Sequence, residues 1–354
     1  MEALNDFEIY LTDLPRSEEG SFAIGRENFD YMLKHQYFMD ISSDSLLIIG
    51  QKLLAETQAA YTEYEAYVEE QHQNGADSVY VPASFDRSDI LSYYGWEVEQ
   101  VKGFLTSEEI VTVPDDIGAV EIIETPAFLR SMFSGIAYQQ AAPFDSARVG
   151  IFYVRPVPDD LGRIQLEARY RYVHRRGFRG SVVHEAFPGH HLQMQIAGQN
   201  DDLIRRSHQN NMFIEGWALY CEEMTYHRGL YGQEDPAQWL AVLDGILFRA
   251  ARVVADVKLH TGQFTYSECV DWMIDQLNIE SESGRNYIRT EVRRYTMTPT
   301  YQMSYLMGKQ EIMKLRQALE AREGDDFSEM DFHDALLAEG AIPPVLFWYL
   351  FELK

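Results

Sequence analysis

Apolar residues recur at helical spacing along most of the chain. Residues 23–70 carry this pattern. Within them, SSDSLLIIGQKLLAETQAAYTEYEAYVEEQ opens with Ser42, keeps its apolar residues at helical spacing and has no internal proline. Residues 86–107 predict a further helix, opened by Ser88 and Asp89. The period then shortens. EEIVTV and AVEIIETP read as short strands, the second closed by Pro126. ARVGIFYVRPVP alternates and is rich in Val, Phe and Tyr, which predicts a strand over 149–155. Pro156 and Pro158 fit a sheet edge or a strand end. Helical spacing returns at residue 163, in segments near 165–176, 180–197, 203–228, 236–262, 265–276, 281–295, 302–322 and 329–339. The pattern predicts a mainly α protein with a small β-sheet.

The chain has 354 residues, enough for one or two domains. The softest boundary is the Pro- and Asp-containing stretch near 141–147, which divides an N-terminal helical part (1–145) from 146–354; both fit one continuous unit. A net charge of −26 repels phosphate backbones and anionic lipid, which argues against nucleic-acid and membrane-surface partners. Cys221 and Cys269 are too few for a disulfide framework or a thiolate zinc site. The N-terminal MEALNDFEIYLTDLPRSEEG lacks the basic-then-apolar pattern of a signal peptide, and no apolar run is long enough to span a bilayer. The sequence as written therefore reads as cytoplasmic. Its 22 tyrosines suit a cleft for an extended ligand.

The candidate chemistry lies in SVVHEAFPGHHLQ, residues 181–193. A helical HExxH box works because histidines four apart share a face, with the Glu beside the bound water as general base. Here His184 and Glu185 stand in that order, but Pro188 occupies the place of the second histidine. His190 and His191 follow six and seven residues after His184. On a straight helix six residues turn by about 600°, and seven advance by about 10 Å, so neither spacing closes on one ion. Pro188 breaks the helical ladder and Gly189 tolerates unusual backbone angles. A bulge or break over 187–189 would absorb the two extra residues and place His190 second, with His191 as the alternative. A third ligand is available in NNMFIEGWALYCEEMTYH: Glu215, 25 residues after His190, lies among apolar neighbours where a carboxylate needs a partner. Glu222, one heptad later, would hold a ligand histidine from behind. Zinc suits such a His/carboxylate set best, although manganese, cobalt or iron would also be accepted.

HEAFPGHHLQ, EGWALYCEE, RAARVVADVKLH and EVRRYTMTPTYQMSYLMGK resemble, in that order, the motifs of the bacterial domain-of-unknown-function 885 family, whose hallmark is an HExxPGHH box. GSFAIGRENFDYML, DISSDSLLIIGQKLL, ETPAFLR and APFDSARVGIFYV are of the same type, so the resemblance covers nearly the whole chain. Typical members are longer at the N-terminus, which implies a C-terminal part or a short form. That family in turn resembles the gluzincin metallopeptidases, largely helical proteins with a deep cleft, among them the carboxypeptidase Taq group and angiotensin-converting enzyme. Those relatives carry HExGH and a Glu on the next long helix. Reading HEAFPGH as HExGH with two inserted residues implies Gly189–His190 as the Gly-His pair and Glu215 as the Glu. Where many members read Pro-Gly-Gln-Ala before Ser-Tyr, this chain reads PTYQMSY, which alters the surroundings of Tyr305.

The resemblance implies a zinc-dependent hydrolase, foremost a peptidase of carboxypeptidase-like or oligopeptidase type. Glu185 would be its base, and Tyr305, then Tyr295, the donor to an oxyanion. A carboxypeptidase also needs a cation for the substrate's terminal carboxylate, for which Arg294, Lys309 and Arg252 are candidates. Asp256 and His260, four apart on a helix, would support the site or pair with each other. Tyr153 and Arg155 would flank a peptide added to the edge of GIFYVRP. Hydrolysis of a non-peptide amide or ester, or peptide binding without turnover, are the alternatives.

Overall fold

The apolar stripes read from the sequence become helices packed around two hydrophobic cores that share a spine. The computed structural model describes residues 2–14, 21–73, 89–130, 135–156, 162, 178–232 and 236–353. Its first helices are α1 (Glu2–Asp13), α2 (Arg26–Gln36), α3 (Ser43–Gln73) and α4 (Asp89–Ser107). The strands follow: β1 (Val120–Glu124), β2 (Ala137–Gln139) and β3 (Gly150–Val154). Next come α5 (Phe178–Glu185), α6 (His190–Ala197), α7 (Leu203–Ser207), α8 (Asn211–His227) and α9 (Pro236–His260). The chain closes with α10 (Tyr266–Gln276), α11 (Glu282–Tyr295), α12 (Tyr301–Glu323), α13 (Glu329–Ala338) and the short α14 (Phe347–Leu350). The helix expected over 165–176 lies outside the described residues.

Two expected helices are each divided, for visible reasons. Residues 23–70 break at 37–42, where Phe38 takes a positive φ and the Met39 N–H bonds back to the Leu33 carbonyl. Ser42 then opens α3, its hydroxyl accepting the Ser45 N–H at 3.2 Å. Residues 203–228 break at 208–210, and the Asn210 side chain caps α8 through the Met212 N–H at 3.1 Å. EEIVTV is not a strand. The Ile110 N–H returns to the Leu105 carbonyl at the end of α4, so these residues form the turn that leaves it.

The sheet has the order β1-β3-β2, with β1 parallel and β2 antiparallel to β3. It joins strands from both sides of residue 145. β3 is thus the central strand, with neighbours on both edges. This overturns the expectation that GIFYVRP offers a free edge to a peptide, because its backbone groups are already paired. Phe152 and its β2 partner Tyr138 share one face, and alternation turns Tyr153 to the other.

α8 is the shared spine. Its Phe213 and Trp217 enter one core with Phe152 of β3 and Val182 and Val183 of α5. Its Met212 and Leu219 enter the other core with Leu46 of α3 and Val253 and Val254 of α9. Against α8 lies α12, and the two backbones approach through Gly216 and Gly308. A Cβ on Gly308 would fall 1.8 Å from the Met212 carbonyl oxygen, and one on Gly216 would fall 2.5 Å from the Gly308 backbone. No side chain fits at either position. Gly308→Ala is therefore expected to force the helices apart and to cost about 1–3 kcal/mol or more of stability. Urea unfolding would measure it; an unchanged midpoint would show that the crossing relaxes freely.

Candidate metal centre

α5 ends at Glu185, and the chain does not continue as a helix. The Ala186 and Phe187 N–H groups both bond to the Val182 carbonyl, and the Gly189 N–H bonds to that of Val183. This tight return brings residue 190 back beside the last turn of α5, where α6 begins. The Phe187–Pro188 peptide is cis, and Trp217 Nε1 donates to the Pro188 carbonyl at 2.8 Å, tying the return to α8. Gly189 is required by close approach: a Cβ there would lie 1.9 Å from the His184 carbonyl oxygen. The two residues in excess of an HExxH spacing are absorbed here.

The result is a buried group of His184, His190 and Glu215, whose potential ligand atoms all lie within 4.8 Å of one another. Glu215 Oε2 stands 3.4 Å from His190 Nε2 and 3.8 Å from His184 Nε2. This oxygen is buried and has no hydrogen-bond partner. Behind His184, Glu222 Oε1 accepts from Nδ1 at 2.7 Å. A carboxylate cannot donate, so the proton sits on Nδ1 and Nε2 is turned toward the group. Two imidazoles, one carboxylate and an orphaned buried oxygen match the donor set of a three-ligand zinc site.

His191 is excluded from this group. Its Nε2 donates to the Gly118 carbonyl at 2.8 Å, and its Nδ1 accepts from the Tyr138 hydroxyl at 3.0 Å. Both nitrogens are thereby used, and burial lowers its pKa to about 4, so it is a neutral structural imidazole. His190, not His191, is the residue brought to His184 and Glu215.

Burial and neighbouring charges set the protonation of the group. Burial opposes a charged His184, but the carboxylates of Glu215, Glu222 and Glu185 around it outweigh it and raise its pKa to about 10. Burial alone would also raise Glu215; the adjacent His184 and His190 outweigh it and hold this carboxyl well below its usual range. Glu185, half-buried beside the group, is raised above the usual carboxylate range, chiefly by burial. In the metal-free protein a second proton, on His184 Nε2, supplies the positive charge. An ion bound at Nε2 must displace it, so affinity for zinc is expected to rise with pH up to about 10, with proton release at neutral pH. Titration calorimetry in buffers of different ionisation enthalpy would detect that release. A buffer-independent heat would contradict it.

α12 completes the surroundings. The Tyr305 ring stacks on His184 with centroids 6.4 Å apart, and its hydroxyl is 3.1 Å from that of Tyr301. Tyr301 in turn donates to Glu215 Oε1. Burial raises the Tyr305 pKa to about 12, so the hydroxyl is a donor. Since the single Tyr301 proton goes to Glu215, Tyr305 donates to Tyr301. The sequence reading passed over Tyr301, although its i, i+4 spacing to Tyr305 places both on one helix face.

The other sequence candidates are dispersed. Tyr295 is fully buried, with its hydroxyl donating to Glu291 Oε2 at 3.1 Å. Arg294 pairs with the same carboxylate at 2.7 Å. Lys309 is buried in an ion pair with Glu223. Arg252 donates to Gln302 Oε1 at 2.9 Å, and its guanidinium lies 4.1 Å from the Tyr305 ring centre. Asp256 accepts the Thr300 and Met303 N–H groups at 3.0 and 3.1 Å, which anchors the start of α12. His260, 3.9 Å from Asp256, bonds to the Tyr295 carbonyl. Asp256 thus holds the start of α12 and His260 the end of α11, and neither belongs to the group of three. Tyr153, on the sheet face opposite Tyr138, donates to Gln139 Oε1 at 2.9 Å, and Arg155 is exposed just past β3.

The family of bacterial proteins of unknown function known as DUF885 matches residues 1–347. No curated protein matches the chain. Among solved structures, a candidate lipoprotein from Colwellia psychrerythraea is 24% identical, with a TM-score of 0.75 over 94% of this chain and 57% of its own. A candidate lipoprotein of unknown function from Shewanella oneidensis is 21% identical, with a TM-score of 0.75 over 99% of this chain and 63% of its own. The chain spans less than two thirds of either protein, and at these identities the likeness is one of fold.

Proposed function

The chain belongs to the DUF885 family of bacterial proteins, and for this member we propose a zinc-dependent hydrolase, foremost a peptidase of carboxypeptidase or oligopeptidase type. The observation that carries the reading is the buried His184–His190–Glu215 group, with Glu222 behind one imidazole and Glu185 beside it. His184 Nε2, His190 Nε2 and Glu215 Oε2 would hold the ion. When bound, zinc supplies Lewis acidity, making a water nucleophilic at neutral pH and polarising the scissile carbonyl.

The chain's own residues do the rest. Glu185, its carboxyl raised by burial, takes the proton of the attacking water and passes it to the leaving amine. Tyr305, a protonated phenol beside His184, would turn its proton from Tyr301 to the oxygen on which charge develops. Glu222 fixes the ring of His184 and its tautomer. Arg252 behind the Tyr305 ring makes that phenol a better donor.

No helix among the described residues is long and apolar enough to cross a membrane. The two structural relatives are described as candidate lipoproteins, which favours an exported setting over the cytoplasmic one read from the sequence.

The test is hydrolysis of a peptide library, with free and blocked C-termini, by zinc-loaded protein before and after chelation. The expected result is cleavage that a chelator abolishes and zinc restores. Cleavage indifferent to chelation, or none by a zinc-loaded chain, would contradict the proposal.

A further inference from the structure

Tyr301 is the first residue of α12, and its place is set from two sides. The preceding Thr300 has φ 66°, with its N–H fixed by Asp256, and the Arg294 guanidinium lies 5.9 Å from the Tyr301 ring centre. From this position the phenol reaches one oxygen of Glu215 only, Oε1. The other oxygen, Oε2, is buried, unpartnered and turned toward Nε2 of both histidines. The two oxygens of one carboxylate thus have separate surroundings.

That division bears on how an ion would be held. Two imidazole nitrogens and both oxygens of a carboxylate would fill four positions, leaving a tetrahedral ion no place for water. A hydrogen bond to Oε1 fixes the carboxylate rotamer and competes with the ion for that oxygen. Resting on the metal-site reading above, we infer that Tyr301 is a positioning residue that restricts Glu215 to one-oxygen coordination and so keeps a coordination position open for water or substrate. The role belongs to Tyr301 and not to Tyr305, whose hydroxyl meets Tyr301 rather than Glu215.

The experiment compares the full chain with Tyr301→Phe and with para-aminophenylalanine at position 301, which keeps a donor at the same reach. Zinc affinity is read by competition with a chromophoric chelator, and the ligand set by the visible absorption of the cobalt-loaded proteins. Tyr301→Phe is expected to bind zinc about 10–100-fold more weakly. Its cobalt bands should shift as the second Glu215 oxygen takes the place of water on the ion, and the amino analogue should restore both properties. A folded Tyr301→Phe with wild-type zinc affinity and an unchanged cobalt spectrum would overturn the inference. If neither variant folds, the zinc-loaded wild type decides by crystallography: one Glu215 oxygen on the ion supports the assignment, and two equidistant oxygens overturn it. A wild-type chain that takes up neither ion overturns the metal-site reading, and this assignment with it.

Discussion

Glu185→Gln is expected to leave zinc in place and to lower turnover by at least about 10²–10⁴-fold. Glu185 is not one of the three residues whose ligand atoms converge, so removing its charge takes no donor from the ion. Glutamine has nearly the same shape, and among the described residues the other carboxylates beside His184 are already engaged. Glu222 is committed to His184 Nδ1, and Glu215 to Tyr301 and, as a proposed ligand, to the ion. The check is kcat measured beside zinc content in the same preparation. Wild-type kcat with zinc bound would remove Glu185 from its role. Loss of zinc together with activity would show that Glu185 helps to hold the ion.

The second large effect separates two adjacent histidines. His190→Ala should abolish tight zinc binding, because it removes the Nε2 that faces Glu215 Oε2 at 3.4 Å. The loss should exceed the roughly 10–100-fold cost of losing an outer hydrogen-bond partner. His191→Ala should behave in the opposite way. It strands the Gly118 carbonyl and the Tyr138 hydroxyl, each at a cost of about 1–3 kcal/mol. It touches no ligand atom, so the folded fraction should retain zinc. Zinc affinity and thermal unfolding of the two variants give a crossed pattern under this account. Equal loss of zinc in both would contradict the assignment of ligands.

The long helices were legible because their apolar periodicity is local. α9, α10, α11 and α12 follow their predicted spans closely. β2 was not legible: three residues carry no period, and they form a strand only because β3 offers an edge. At the site, the break at Pro188–Gly189 could be read, since proline and glycine act on their own backbone. The path of the break could not, because it depends on Trp217 and on how closely Gly189 approaches the His184 carbonyl. Spacing alone also left His190 and His191 open. Tyr138 and Gly118, on segments far away in sequence, decide between them. Two of the candidate cations are paired, Lys309 with Glu223 of α8 and Arg294 with Glu291 one turn back on its own helix. Whether Arg294 or Lys309 is free depends on Glu291 and Glu223, and a cation reads alike in sequence whether paired or not. Asp256 and His260 looked like supports of the site; Asp256 holds the start of α12, which carries the tyrosines to it, and His260 holds the end of α11.

The central claim is that His184, His190 and Glu215 bind one metal ion. The most direct test is the metal content of the purified wild-type chain, loaded with zinc, freed of excess by gel filtration and read by elemental mass spectrometry. The account predicts about one zinc per chain, as a three-ligand site requires. A chain that emerges folded and free of metal would contradict it.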